Sequence, residues 1–144
     1  MATEYPVKIK LQLRPVGKPW VRVGLDDYLQ EKQLETLTTF EWDVDAVDRV
    51  CLTVELFDKS NDDPTTAVEI VGVEFFDIAD PKFAWAGVYC PVYPEPWFSE
   101  QTPPPAATLQ GQTYLGWNGV YSLTFDVPVF TWIHKTLNLG WIYQ

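Results

Sequence analysis

Residue types on which many enzymes and small disulfide folds depend are scarce: the 144-residue chain has one His, two Cys and one Met. Two cysteines, Cys51 and Cys90, are too few for a disulfide framework, and neither stands in a CxxC or Cys/His metal spacing. A bridge between them stays open, although Cys51 lies in an apolar strand pattern that suits a small buried side chain. His134 has no acid or nucleophile beside it in sequence, so no histidine-centred catalytic group is written into the chain. GxSxG is missing, and Gly17, Gly24 and Gly72 stand alone rather than in a phosphate-binding loop. The absence of any run of about 18 uncharged apolar residues excludes an ordinary transmembrane helix. Residues 1–10 lack the apolar stretch of a secretory leader, because Glu4, Lys8 and Lys10 interrupt them. The expectation is a protein made and kept in a cytoplasm, or assembled there into something larger.

Positive charge is also short. Ten Lys and Arg stand against 20 Asp and Glu, a formal net charge of −10. Such a surface is repelled by phosphate backbones and anionic membranes, so neither nucleic acid nor membrane is an expected partner. All the acids except Glu4 and Asp126 fall within residues 26–100. That zone reads either as a solvated face or as an attractor of cations.

What the chain has in quantity is apolar and aromatic surface, 47% and 15% of its residues. This suffices for one folded domain over residues 1–144. Val7, Ile9, Leu11 and Leu13 alternate with Lys8, Lys10, Gln12 and Arg14, a period of two that makes a strand with one wet face. A turn at 15–19 precedes a second strand at 20–24, and residues 26–37 read as a helical turn or a loop. Alternation returns at Phe40, Trp42, Val44 and Ala46, then at Val50, Leu52, Val54 and Leu56. The polar run 58–64 breaks that pattern and residues 66–76 resume it, a hairpin-like unit. Residues 111–117 and 119–127 read as a final hairpin turning at Trp117-Asn118-Gly119. A short helix follows from Phe130, and residues 141–143 are again apolar. The sum is an all-β antiparallel sandwich of jelly-roll type, with about seven or eight strands and one or two helical turns.

Residues 82–110 differ in texture. They hold six of the 12 prolines and the rings of Phe83, Trp85, Tyr89, Tyr93, Trp97 and Phe98. So many large rings imply an ordered arm packed across a sheet or against a partner. Trp85, Tyr89, Tyr93 and Trp97, with Trp117, are candidates to hold a sugar or a protein partner, because flat rings pack on the C–H faces of sugars while nearby acids and amides take the hydroxyls. The same rings would also serve as core anchors. The second candidate is the run 58–63, where Asp58, Asn61, Asp62 and Asp63 offer hard oxygen ligands of the kind Ca²⁺ takes. It lacks the Gly and terminal Glu of an EF-hand and reads equally as an Asx-rich turn. Acid pairs such as Asp43 with Asp45, or Glu55 with Glu69, are the only echo of a glycosidase and carry no further mark.

The stretch LTVELFDKSNDDPTTAVEIVGVEFFDI at 52–78, with YPEPW at 93–97 and GQTYLGWNG at 111–119, resembles small virion structural proteins of tailed phages, especially of aquatic bacteria. Those proteins are in turn similar to calcium-dependent, xylan-binding-type carbohydrate-binding modules. The resemblance covers most of residues 50–127, and the acidic loop here is shorter than in those modules and lacks their Gly and aromatic. It implies a non-enzymatic virion structural or decoration protein, made in host cytoplasm and carried on the particle. Its partners would be other virion proteins or further copies of itself, with Trp141 and Tyr143 of the C-terminal segment as a contact, and host-surface glycans. The alternative is a stand-alone calcium-dependent carbohydrate-binding module, with Ca²⁺ at Asp58, Asn61, Asp62 and Asp63.

Overall fold

Val7, Ile9, Leu11 and Leu13 lose all contact with solvent while Lys8, Lys10, Gln12 and Arg14 keep theirs, so the first alternating segment is a strand with one face on a core. The computed structural model describes residues 3–60, 63 and 65–137. In chain order its strands are β1 (Tyr5–Val16), β2 (Trp20–Leu25), β3 (Tyr28–Gln33), β4 (Thr38–Ala46), β5 (Arg49–Phe57), β6 (Ala67–Phe75), β7 (Ile78–Ala79), β8 (Val88–Pro91), β9 (Leu109–Gln110), β10 (Tyr114–Leu115) and β11 (Gly119–Asp126). Two short helices, α1 (Pro81–Trp85) and α2 (Val129–Thr136), complete the fold.

Two antiparallel sheets form the sandwich. One has the order β10-β6-β1-β4 with β7 on β6, and the other the order β3-β2-β5-β11-β8-β9. Their inner faces share one apolar core, in which Phe75 of β6 meets Phe83 of α1, Phe125 of β11 and Trp132 of α2. Asp80 starts α1 by accepting the Lys82 N–H, and proline at its first position needs no partner for a missing donor.

Four readings of the sequence are revised here. Residues 28–33 are an edge strand, not a helical turn or loop; every one of them is exposed, so no face is buried and no alternation is imprinted. β5 and β6 are not a hairpin: β5 pairs with β2 and β11 in one sheet, β6 with β1 and β10 in the other. β10 and β11 likewise belong to different sheets. Alternation tells which side of a strand is wet but not which strand lies next to it. The arm, finally, is partly core. Phe83 and Tyr89 are buried, and β8 within it pairs with β11, leaving residues 92–108 as the irregular portion apart from a single 3-10 turn at Phe98–Glu100. Cys51 is half-buried, Cys90 exposed, and both are free thiols.

Candidate functional site

Two crossings between the sheets meet at one end of the sandwich. Residues 58–66 carry the chain from β5 to β6, and residues 116–118 carry it from β10 to β11. The second crossing is short: three extended residues span about 10 Å, the usual gap between stacked sheets. Asn118 ties the two together. Its Oδ1 accepts the Lys59 backbone N–H at 3.0 Å, and its Nδ2 donates to the Lys59 carbonyl at 2.9 Å. Lys59 Nζ donates to the Gly116 carbonyl at 2.6 Å. Gly119, the next residue, lets β11 lie close against β8, since a Cβ there would stand 2.5 Å from the Cys90 carbonyl oxygen. Asn118→Ala removes both side-chain bonds and should cost about 1–2 kcal/mol in urea unfolding, with faster proteolytic nicking in residues 58–66.

Beside this junction the aromatic residues collect. Trp97 and Trp117 lie with ring centres 5.0 Å apart and planes at 34°, and Tyr93 stands 5.6 Å from each. Phe98 packs edge-on against Tyr93, whose hydroxyl donates to the Ala106 carbonyl at 2.7 Å. These contacts explain how a proline-rich segment holds one shape: the rings are its core. A cleft of about 470 Å³ opens against Trp97 and Trp117, with Leu109, Pro94 and Tyr114 as further apolar wall and Lys59, Asp63 and Gln112 as polar edge. A smaller recess of about 20 Å³ shares Lys59, Asp63, Pro94 and Trp117 with it.

Tyr89 braces the cleft from below. Its ring is buried, its hydroxyl donates to the Trp117 carbonyl, and the Trp117 N–H donates back to it at 3.2 Å. Burial holds the phenol above its ordinary pKa, so it stays a neutral donor. Lys59 is half-buried with its ammonium 5.9 Å from the Trp117 ring centre. Burial pulls its pKa below the ordinary lysine value, and the nearby Asp63 charge opposes that pull. Asp63 itself is spent on its own loop. Its carboxylate accepts the Thr66 hydroxyl, the Thr66 and Thr65 N–H groups at 3.0 and 2.9 Å, and the Thr65 hydroxyl at 3.2 Å. Those bonds hold the acid well below the usual carboxylate range.

Of the candidate residues, the structure brings Tyr93, Trp97 and Trp117 together and sets Tyr89 behind them as a brace. Trp85 is exposed on α1 and does not line the cleft. In the acidic run, Asp58 is exposed with φ 61°, and Asp63 is engaged as above. Asn61 and Asp62 lie outside the described residues, as do Trp141 and Tyr143. Among the described residues no three His, Cys, Asp or Glu side chains converge as a metal site. Asp58 and Asp63 supply oxygen donors of the right hardness for Ca²⁺, but far fewer than the six to eight it takes. The acid pair Glu55 and Glu69 is split between the outer faces of the two sheets, where Arg22 and Arg14 hold them, so they cannot flank one bond. Lys59, Gln112, Tyr114 and Asn118 were not legible as site residues, because only the two crossings bring them to the tryptophans.

No protein-family model and no curated protein matches the chain in sequence. Among solved structures the sandwich is similar to vCBM60 in complex with galactobiose, with a TM-score of 0.52 at 14% identity over 81% of this chain and 96% of that one. It is similar also to a selenomethionine form of vCBM60, described with a circular permutation linking two families of calcium-dependent carbohydrate-binding modules. There the TM-score is 0.52 at 12% identity, over 84% of this chain and 90% of that one. At such identities the likeness shows the fold: this chain has a sandwich of the kind found in carbohydrate-binding modules.

Proposed function

We propose that this sandwich is a non-enzymatic carbohydrate-binding module whose sugar site is the cleft at Trp97 and Trp117. One observation carries the reading: two indole rings, tilted and 5.0 Å apart, form the wall of a cleft whose edge bears Lys59, Asp63 and Gln112. Sugars present apolar C–H faces and a rim of hydroxyls, which are the complements of a ring and of a mixed donor and acceptor edge. The two vCBM60 structures support this reading more than they support a virion attachment role. Carriage on a phage particle, which the sequence resemblance implies, is a separate proposal that mass spectrometry of purified particles tests.

Ca²⁺ is part of the proposal as an ion held by the run Asp58, Asn61, Asp62 and Asp63, with Asp63 exchanging bonds to Thr65 and Thr66 for the metal. An ion there would add positive charge beside the cleft and oxygen coordination sites for sugar hydroxyls. The experiment is a panel of neutral plant and algal oligosaccharides, titrated by calorimetry with millimolar Ca²⁺ and with excess EDTA. Binding in both conditions supports the cleft alone, binding lost in EDTA supports the ion as well, and no binding in either overturns the reading. Thermal unfolding reports the ion independently: at a hundred times its dissociation constant it adds about 2.7 kcal/mol, a rise of several degrees at this chain length.

A further inference from the structure

Resting on the carbohydrate-binding reading, we propose that Lys59 makes the cleft selective for a glycan bearing an isolated carboxylate, a single uronic acid on an otherwise neutral chain. Among the described residues Lys59 is the one cation lining the cleft, and it lines the adjoining recess too. Its backbone is fixed at both N–H and C=O by Asn118, so the side chain leaves from a set position. One ammonium proton goes to the Gly116 carbonyl. Among the described residues no carboxylate stands within 4.0 Å of it; the same holds for Lys8, Lys32, Lys82 and Lys135, none of which lines the cleft, whereas Lys10, Arg14, Lys18, Arg22 and Arg49 each meet an Asp or Glu within that range.

The obvious competitor is Asp63, which lines the same cleft. Its oxygens accept four bonds from Thr65 and Thr66, which orient them into the loop. A cation that is partly desolvated against an indole, with protons to spare, favours an anionic acceptor over a hydroxyl, because hydrogen bonds between ionised partners are roughly twice as strong. The net charge of −10 sets the second limit. A polyuronate would be repelled by the rest of the surface, so the charge the site accepts is single.

The test uses the intact chain and neutral tetrasaccharides of xylose, glucose, galactose and mannose, each unmodified, with one glucuronic acid branch, and with that branch reduced to the alcohol. Affinities are read by calorimetry at low salt. We expect the acid to bind about tenfold tighter than its reduced twin on at least one backbone, with the ratio shrinking as salt rises. Lys59→Met should bring the ratio to about one, whatever it does to the neutral affinity, and Lys59→Arg should keep it. Thermal unfolding of both variants shows whether the loop has survived. Neutral sugars binding as well as the acid, or a ratio unchanged in Lys59→Met, overturns the selectivity and leaves the carbohydrate reading standing. No binding by any sugar overturns both.

Discussion

Trp117→Ala should weaken binding of whatever glycan the cleft takes by about 30- to 1000-fold, the range expected when a central aromatic anchor worth roughly 2–4 kcal/mol is truncated. Its ring is the meeting point of Trp97, Tyr93 and Lys59. Trp97 lies tilted against it with ring centres 5.0 Å apart, Tyr93 meets it edge-on at 5.6 Å, and the Lys59 ammonium lies 5.9 Å from its centre. Alanine removes that surface and leaves the local backbone braced, since Tyr89 bonds to the Trp117 carbonyl and N–H rather than to its side chain. Circular dichroism should therefore stay native while binding is lost. Trp85→Ala is the control: that ring is exposed on α1, away from the cleft lining, and its removal should leave affinity within about twofold. A large loss in Trp85→Ala with none in Trp117→Ala would move the binding surface to the α1 side of the sandwich.

How much of this was readable in the chain depends on what each signal reports. The alternation of Val7 to Leu13, and of Val50 to Leu56, gave strands and their buried faces, because a period of two survives wherever one face meets a core. β3 carries no such mark since neither face is covered. Pairing was the larger gap. Residues 58–66 and 116–118 look like hairpin loops in sequence, and only tertiary packing shows that each steps across to the other sheet. That step is also what makes the site. Trp97 and Trp117 were visible as candidates by residue type, but Lys59 was hidden in an acidic run, and its partner Asn118 is 59 positions away. Tyr89 stood open for a related reason: a ring in a proline-rich segment reads as surface or core alike, and β8 buries this one while keeping it against the floor of the cleft.

Phe75→Ala should be the most destabilising single substitution outside the site, at about 3–5 kcal/mol, the usual cost of emptying a packed phenylalanine position. Phe75 is fully buried and its ring touches three other elements at once. Its ring lies 5.2 Å from Phe83 of α1, 4.9 Å from Phe125 of β11 and 5.2 Å from Trp132 of α2, two of these contacts edge-on. The first and third are the pins by which the helices close the core, and the second joins the two sheets. Three rings with fixed rotamers cannot collapse into the vacated volume without giving up contacts with one another, such as the 5.7 Å pair of Phe83 and Trp132. For a chain of this length the loss corresponds to a fall in Tm of roughly 10 °C or more. Phe75→Leu should recover part of it by refilling most of the volume without the edge contacts. A drop below about 1 kcal/mol in Phe75→Ala, measured by urea unfolding, would mean that the helices are not held through this ring and that the sheets close on Leu52, Val54 and Leu123 alone.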